Sequence, residues 1–251
     1  MADPDSMGRP IVLPLERDRE PFWTWIDVAL FAVGAPVIIA GVAVLLLMVL
    51  KTFHWPADTA LALLGMQSLL YVAAYGLLWL ILMVRHSASI WDALRWPVSP
   101  LSGARLFAAG FVLAFAAALL GLALHAPKVD NPIVKFMRDP VSILAVVVFA
   151  STIGPAAEEV IFRGFLQPIA TRTFGAAVGI AGTSLVFAAL HGVEYQWCWQ
   201  YLLLVFTASL AFGWTRMRWN STGASTLLHA GYNIMFFIGY LLQGRTFPSH
   251  G

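Results

Sequence analysis

Long apolar runs separated by short polar stretches make up this chain from residue 22 onward. The runs are bounded by charged residues, proline or glycine and lie at 22–50, 59–84, 106–124, 141–157, 176–190, 201–214 and 225–242. A helix needs about 20 mainly apolar residues to cross a bilayer. The pattern therefore predicts an all-α, polytopic membrane helix bundle with seven transmembrane helices.

Two local features modify this pattern. Pro36 lies inside the first run and predicts a kink, which neighbouring helices can accommodate by satisfying the freed carbonyl. Residues 128–140 are mildly amphipathic, and we expect them to form a short extra helix in the membrane interface.

The first 21 residues contrast with the rest, because charged residues and prolines replace the apolar runs. They predict a solvated N-terminal tail at 1–21, followed by a single integral membrane domain at 22–251. A cleaved signal peptide has a short apolar core close to the start, whereas this apolar run begins late and is long. We therefore interpret the first run as a membrane anchor.

The amino-acid composition agrees with a chain that is mainly embedded in lipid. Apolar residues make up 60% of the sequence and charged residues 11%, whereas about a quarter of a soluble domain is charged. The single cysteine, Cys198, excludes an internal disulfide and a cysteine-based zinc cluster. Basic residues are scattered among the loops, so no nucleic-acid partner is expected.

The distribution of positive charge predicts an orientation. With seven helices, ten basic residues fall on the N-terminal side of the membrane and five on the other. Cytoplasmic loops carry the excess of Lys and Arg. We expect a cytoplasmic N-terminus and, from the compact chain with short loops, a prokaryotic cell membrane.

Ionisable side chains within the apolar runs are functional candidates, because a charge in hydrocarbon costs a few kcal/mol. They concentrate in the second half of the chain, at Glu158, Glu159, Arg163, His191 and His229, joined by Asn233. Asp27, next to two tryptophans near the start of the first run, is interpreted as an interfacial residue without a role.

The two adjacent glutamates have different neighbours on a helix. Glu159 and Arg163 are four residues apart and can pair on one face, while Glu158 points about 100° away. Glu158 has no cation at helical spacing, so it is the better candidate for a general base. The alternative is an interfacial ion pair beside a glutamate that reaches the headgroups.

Two further motifs supply imidazole and amide groups. His191 follows Phe187-Ala-Ala-Leu at the end of a helix, and His229 and Asn233 share one face of an apolar helix. A water held between Glu158 and His191 could attack a carbonyl. His229 and Asn233 could then donate hydrogen bonds to the oxyanion, each worth about 3 kcal/mol. Structural roles remain the alternative, since asparagine also joins membrane helices.

In these residues the chain resembles the CPBP family of intramembrane endopeptidases, which includes the CAAX prenyl proteases and the bacterial Abi proteins. The family pattern is Glu-Glu-x-x-x-Arg, Phe-x-x-x-His and His-x-x-x-Asn/Asp on successive helices, and all three elements are present. The resemblance implies seven to eight transmembrane helices and a glutamate-dependent protease without metal or cofactor. Its partners would be the lipid bilayer and a membrane-associated peptide or protein, prenylated in the CAAX branch.

The resemblance also implies a role for each residue. The catalytic residues would be Glu158, His191, His229 and Asn233. Glu159 and Arg163 would support them.

Four other functions remain open at this point. Glu158, His191 and His229 could bind zinc, although no His-Glu-x-x-His motif supports this. A serine could be the nucleophile, either Ser225 paired with His229 or one of Ser209 and Ser151, but no Gly-x-Ser-x-Gly motif is present. The chain could instead be a non-catalytic membrane scaffold or immunity protein. A proton-coupled transporter is less favoured, because the sequence has no two corresponding halves.

Overall fold

The computed structural model describes residues 21–54, 56, 59–87, 91, 94–97, 100–129, 132–137 and 139–242, which are mainly helical with no strand among them. The helices are α1 (Trp25–Thr52), α2 (Ala60–His86), α3 (Pro100–Ala123), α4 (Pro140–Ser151), α5 (Ile153–Glu159), a π-helical segment (Val160–Leu166), α6 (Gln167–Phe174), α7 (Ala176–Leu190), α8 (Trp199–Trp219) and α9 (Thr222–Leu242). Residues 1–20 of the predicted tail lie outside the described part.

The predicted all-α membrane bundle is confirmed. Four helical stretches are long and apolar enough to cross a membrane: Trp25–Thr52, Ala60–His86, Ser102–Ala123 and Pro140–Phe174. α7 is a shorter apolar helix of 15 residues, and α8 and α9 have 21 residues each. Large apolar side chains such as Val33, Val84 and Val112 are about 70% exposed, as expected for a surface that faces lipid.

The fourth helical stretch is longer than the sequence indicated. We expected it to end at residue 157, but it continues from Pro140 to Phe174 through the π-helical segment. The charges that suggested an end are inside the bundle, where Glu159 and Arg163 are 0% and 1% exposed and form an ion pair. A neutralised pair can lie within a membrane helix, so these charges do not mark the membrane surface.

Local signals explain where α4 begins and where it breaks. Asp139 accepts hydrogen bonds at 3.0 Å from the amides of Val141 and Ser142, and Pro140 occupies the first helical position. The Ser142 hydroxyl and backbone hydrogen bonds hold the pKa of Asp139 below its usual range. Thr152, with φ −133° and ψ −73°, separates α4 from α5.

Two other local expectations had different outcomes. α1 runs through Pro36 as one helix from Trp25 to Thr52, and the kink stays a prediction. In the region 128–140, where an extra helix was expected, the structure contains a short 3₁₀ turn at Pro132–Phe136, and residues 130, 131 and 138 lie outside the described part.

Close backbone contact between α3 and α9 positions the helix that carries His229. A Cβ atom at Gly231 would collide with the Phe107 carbonyl, and one at Gly110 would collide with the Leu228 carbonyl. Only glycine permits this approach, which is typical of helix packing in membranes. The face of α9 with His229 is thereby fixed against the rest of the bundle.

Asp27 is not the interfacial residue that the sequence suggested. Its side chain is fully buried, and it accepts hydrogen bonds from the Thr24 amide at 2.7 Å and from His86 Nε2 at 2.9 Å. It also pairs with Arg85. Because Thr24 precedes α1 and the two basic residues end α2, Asp27 holds the start of one helix to the end of the next.

Candidate active site

Glu159 lies at the centre of a buried polar cluster formed by three helical elements. Its Oε1 accepts from Arg163 Nη1 at 3.1 Å and from His229 Nδ1 at 3.0 Å, and its Oε2 accepts from the Ser225 hydroxyl. The Glu159 side chain has no exposed surface. A buried carboxylate is tolerated when it is paired and hydrogen-bonded in this way, so both oxygens of Glu159 are committed to structure.

Arg163 is held by groups on α8 as well as by Glu159. Its Nη2 donates to the Ser209 carbonyl at 2.9 Å and contacts the Ser209 hydroxyl at 2.6 Å. The guanidinium carbon lies 4.7 Å from the centre of the Phe187 ring, close enough for a cation–π interaction. The predicted pair of Glu159 with Arg163 is therefore present.

His229 is oriented by Glu159 and by an aromatic ring. Since a carboxylate only accepts, His229 Nδ1 is the donor in their 3.0 Å hydrogen bond. The imidazole stacks on Phe212 with 4.3 Å between ring centres. Nε2 consequently accepts a proton in the neutral ring and donates one in the imidazolium.

Glu158 has a different environment from its neighbour. Its side chain is 29% exposed, whereas the side chain of Glu159 is fully buried. Its Oε2 lies 3.9 Å from Nε2 of His229, and no hydrogen bond joins its carboxylate to another described residue. This carboxylate is therefore accessible to water beside an imidazole whose position is fixed.

His191 follows the last residue of α7 and packs against Phe187. Its Nδ1 donates to the Phe187 carbonyl at 2.8 Å, which leaves Nε2 as the acceptor of the neutral ring. The Phe187 ring centre is 4.6 Å from that of His191 and 6.0 Å from that of His229. Phe187 thus packs against both imidazoles, and the water expected between Glu158 and His191 stays a prediction.

Asn233 lies one turn beyond His229 and contacts the break between α4 and α5. Its Nδ2 donates to the Ala150 carbonyl at 2.7 Å. Such carbonyls lack a helical partner where a helix ends. One of the two amide N–H groups is therefore used for structure, and the second is the donor that an oxyanion role requires.

One comparison with known proteins covers this part of the molecule. Residues 140–235 match the family model of the Rce1-like type II CAAX prenyl endopeptidases. Over these residues the chain is similar to this family of CAAX prenyl endopeptidases. The match runs from the start of α4 into α9 and includes all six candidate site residues. Neither a curated protein nor a solved structure matches the chain.

The match indicates a general class of activity. CAAX prenyl endopeptidases are proteases, so residues 140–235 are similar to a family of peptide hydrolases. Together with the four long apolar helices, this similarity supports an integral membrane protein in contact with lipid.

Two of the three serines that were considered as nucleophiles contact the buried pair of Glu159 and Arg163. Ser225 instead donates to Glu159 and lies 3.0 Å from the Phe212 carbonyl, and Ser209 accepts from Arg163. Among the described residues, neither forms a hydrogen bond with a histidine. The spacing of Ser225 and His229, four apart on α9, indicated a shared face but not the glutamate that both contact.

The zinc site considered from the sequence is not assembled among the residues that the structure describes. Across these ranges, no group of three His, Cys, Asp or Glu side chains is close enough to bind one metal ion. Glu158 and His229 approach each other, and the Phe187 ring packs against both His229 and His191.

Proposed function

We propose that the chain is an intramembrane glutamic endopeptidase that hydrolyses a peptide bond of a membrane-associated, CAAX-type prenylated peptide or protein. The observation that carries this proposal is the arrangement of Glu158, whose side chain is 29% exposed and whose Oε2 lies 3.9 Å from Nε2 of His229. General-base catalysis requires a carboxylate that can reach water and substrate, and Glu158 meets this requirement where Glu159 does not.

The reaction begins with a water molecule on Glu158. The carboxylate takes a proton from the water, whose oxygen attacks the carbonyl carbon of the scissile peptide bond. The carbonyl π electrons move to its oxygen and form an oxyanion. When the tetrahedral intermediate collapses, the C–N bond breaks and the leaving amine takes the proton from Glu158, so the protons balance without a metal or a covalent intermediate.

The remaining residues stabilise this sequence of steps. His229 donates to the oxyanion through Nε2 in its doubly protonated form, and the hydrogen bond from Nδ1 to Glu159 orients its ring. The second amide N–H of Asn233 is the other donor. His191 accepts the second hydrogen of the water through Nε2, since its Nδ1 is held by the Phe187 carbonyl. Glu159 and Arg163 are positioning residues.

The orientation in the membrane is part of the same proposal. Without Arg163, which is buried in the bundle, nine basic residues on the N-terminal side against five on the other support a cytoplasmic N-terminus, in a prokaryotic cell membrane. A reporter fused to the N-terminus and tested for accessibility in sealed vesicles checks this orientation.

The direct test is cleavage of a peptide that ends in a prenylated CAAX sequence, with the full chain in liposomes and products identified by mass spectrometry. Glu158→Gln keeps the shape of the side chain but removes the base, so we expect the rate to fall about 10³-fold. Asp139→Asn is the matched control, because Asn caps a helix about as well as Asp and this residue is exposed.

Three results of this cleavage assay distinguish the proposed function from its alternatives. Undiminished cleavage by the Glu158→Gln variant contradicts the glutamate mechanism. Loss of cleavage in strong chelators supports the zinc alternative. If the parent protein cleaves neither the prenylated peptide nor the same peptide without its prenyl group, the non-catalytic scaffold is favoured.

A further inference from the structure

Three arginines surround a cavity that is separate from the candidate active site. The cavity has a volume of about 460 Å³ and lies where α6 and α8 end and α7 begins. Arg95, Arg172 and Arg216 line it together with neutral residues. None of the described lining residues is an aspartate or glutamate. We call this cavity the arginine pocket.

Hydrogen bonds to backbone and amide oxygens hold two of these guanidinium groups in place. Arg216 is 6% exposed, and it donates through Nε to the Arg163 carbonyl at 3.1 Å and through Nη1 to Asn220 Oδ1 at 2.9 Å. Arg172 donates through Nη1 to the Pro21 carbonyl at 2.6 Å. The pocket therefore presents positive charge in an ordered arrangement rather than on free surface side chains.

The first turn of α7 adds to the positive potential of the pocket. Ala176, its first residue, lines the cavity, and no side chain caps this helix N-terminus. Unpaired backbone N–H groups and the helix dipole favour an anion at such a position. The arginines and the helix terminus thus favour the same kind of ligand.

Exposed aromatic side chains surround this end of the bundle. Trp25 and Phe174 contact each other with ring centres 5.8 Å apart, as do Trp214 and Trp219. All four are at least 39% exposed. Aromatic residues of this kind concentrate at the level of the lipid headgroups. The arginine pocket is therefore at the depth where phosphate groups of lipids occur.

We propose that the arginine pocket binds a phosphate-bearing anion, with the headgroup of an anionic phospholipid as the favoured source over free phosphate. The planar guanidinium group matches phosphate oxygens with two parallel hydrogen bonds. Basic pockets between membrane helices bind anionic headgroups in the same way. Arg216 also donates to the Arg163 carbonyl, so an anion bound to Arg216 stabilises the helical stretch that carries Glu159.

The test uses the full chain in phosphatidylcholine nanodiscs, with and without phosphatidylglycerol, and in neutral detergent with inorganic phosphate against sodium chloride at equal ionic strength. Thermal unfolding and lipid retention in native mass spectrometry are measured. The pocket variants are Arg172→Gln, Arg95→Gln and Arg172→Lys. Arg218→Gln is the matched control, because Arg218 is exposed on the last turn of α8, beside Trp219, and does not line the cavity.

We expect phosphatidylglycerol to raise the unfolding temperature saturably, with affinity about tenfold weaker in Arg172→Gln or Arg95→Gln and unchanged in Arg218→Gln. Arg172→Lys keeps the charge, so its affinity for phosphatidylglycerol should lie between that of Arg172→Gln and that of the parent protein. An equal effect of inorganic phosphate supports the same site with free phosphate as its ligand. The proposal is overturned if neither anion stabilises the protein, or if stabilisation is the same in the pocket variants and in the control.

Discussion

Two regions of the molecule contain a fully buried carboxylate with an arginine, a histidine and a hydroxyl as partners. The amino-terminal cluster consists of Asp27, Thr24, Arg85 and His86. The carboxy-terminal cluster consists of Glu159, Arg163, Ser225 and His229. The sets of chemical groups are nearly the same, yet only the second lies within residues 140–235, which match the endopeptidase family model.

The neighbours of the two carboxylates explain the difference. Asp27 stands between Ile26 and Val28, whereas Glu159 follows Glu158, whose side chain is partly exposed and lies 3.9 Å from His229. A buried carboxylate that is fully paired holds helices together in both regions. The additional carboxylate of Glu158, rather than the buried cluster, therefore distinguishes a candidate active site from a purely structural cluster.

The largest expected effect on folding comes from Glu159→Gln. Arg163 is 1% exposed, so the variant leaves a buried cation without its anion and should lose about 3–5 kcal/mol of unfolding free energy. Denaturant unfolding in detergent, followed by tryptophan fluorescence, measures the loss. Glu158→Gln is the neighbouring control and should change stability by less than about 0.5 kcal/mol. Equal losses in the two variants would remove the distinction between the glutamates.

Asp27→Asn should have an intermediate effect on stability and none on catalysis. Because the Arg85 side chain is 39% exposed and can turn to solvent, we expect a loss of about 2 kcal/mol. Cleavage per folded molecule should equal that of the parent protein. A large loss of cleavage, measured after correction for the folded fraction, would mean that the amino-terminal cluster belongs to the active site.

The smallest effect is expected for Ser225→Ala. The variant removes one hydrogen bond to Glu159 and should cost about 1 kcal/mol, with cleavage retained within about tenfold. Ser209→Ala should cost less, because the Ser209 carbonyl still accepts from Arg163 at 2.9 Å. Complete loss of cleavage in Ser225→Ala alone would favour a serine nucleophile over Glu158.

The seven helical stretches were predictable because each coincides with a long apolar run. The predicted end of the fourth helix was wrong, because a hydropathy pattern counts Glu159 and Arg163 as two charges and takes no account of their pairing in the bundle. Helical spacing did predict that pair, since its members are four residues apart on one element.

Contacts between distant helices could not be predicted from spacing. His229 is 70 residues from Glu159, and Asn233 is 83 residues from Ala150. Asp27 was assigned no role because its partner Arg85 is 58 residues away. Periodicity shows which side chains share a helix face, but packing decides which faces meet, and here glycine contacts such as that of Gly231 set the packing.

Glu158 is proposed as the general base, whereas the buried carboxylates Glu159 and Asp27 stabilise the fold. The decisive experiment compares Glu158→Gln with Asp27→Asn and records, for each variant, the cleavage rate per folded molecule and the midpoint of unfolding. We predict opposite patterns: a rate about 10³-fold lower with an unchanged midpoint for Glu158→Gln, and an unchanged rate with a lowered midpoint for Asp27→Asn. A parental cleavage rate in the Glu158→Gln variant would contradict the account.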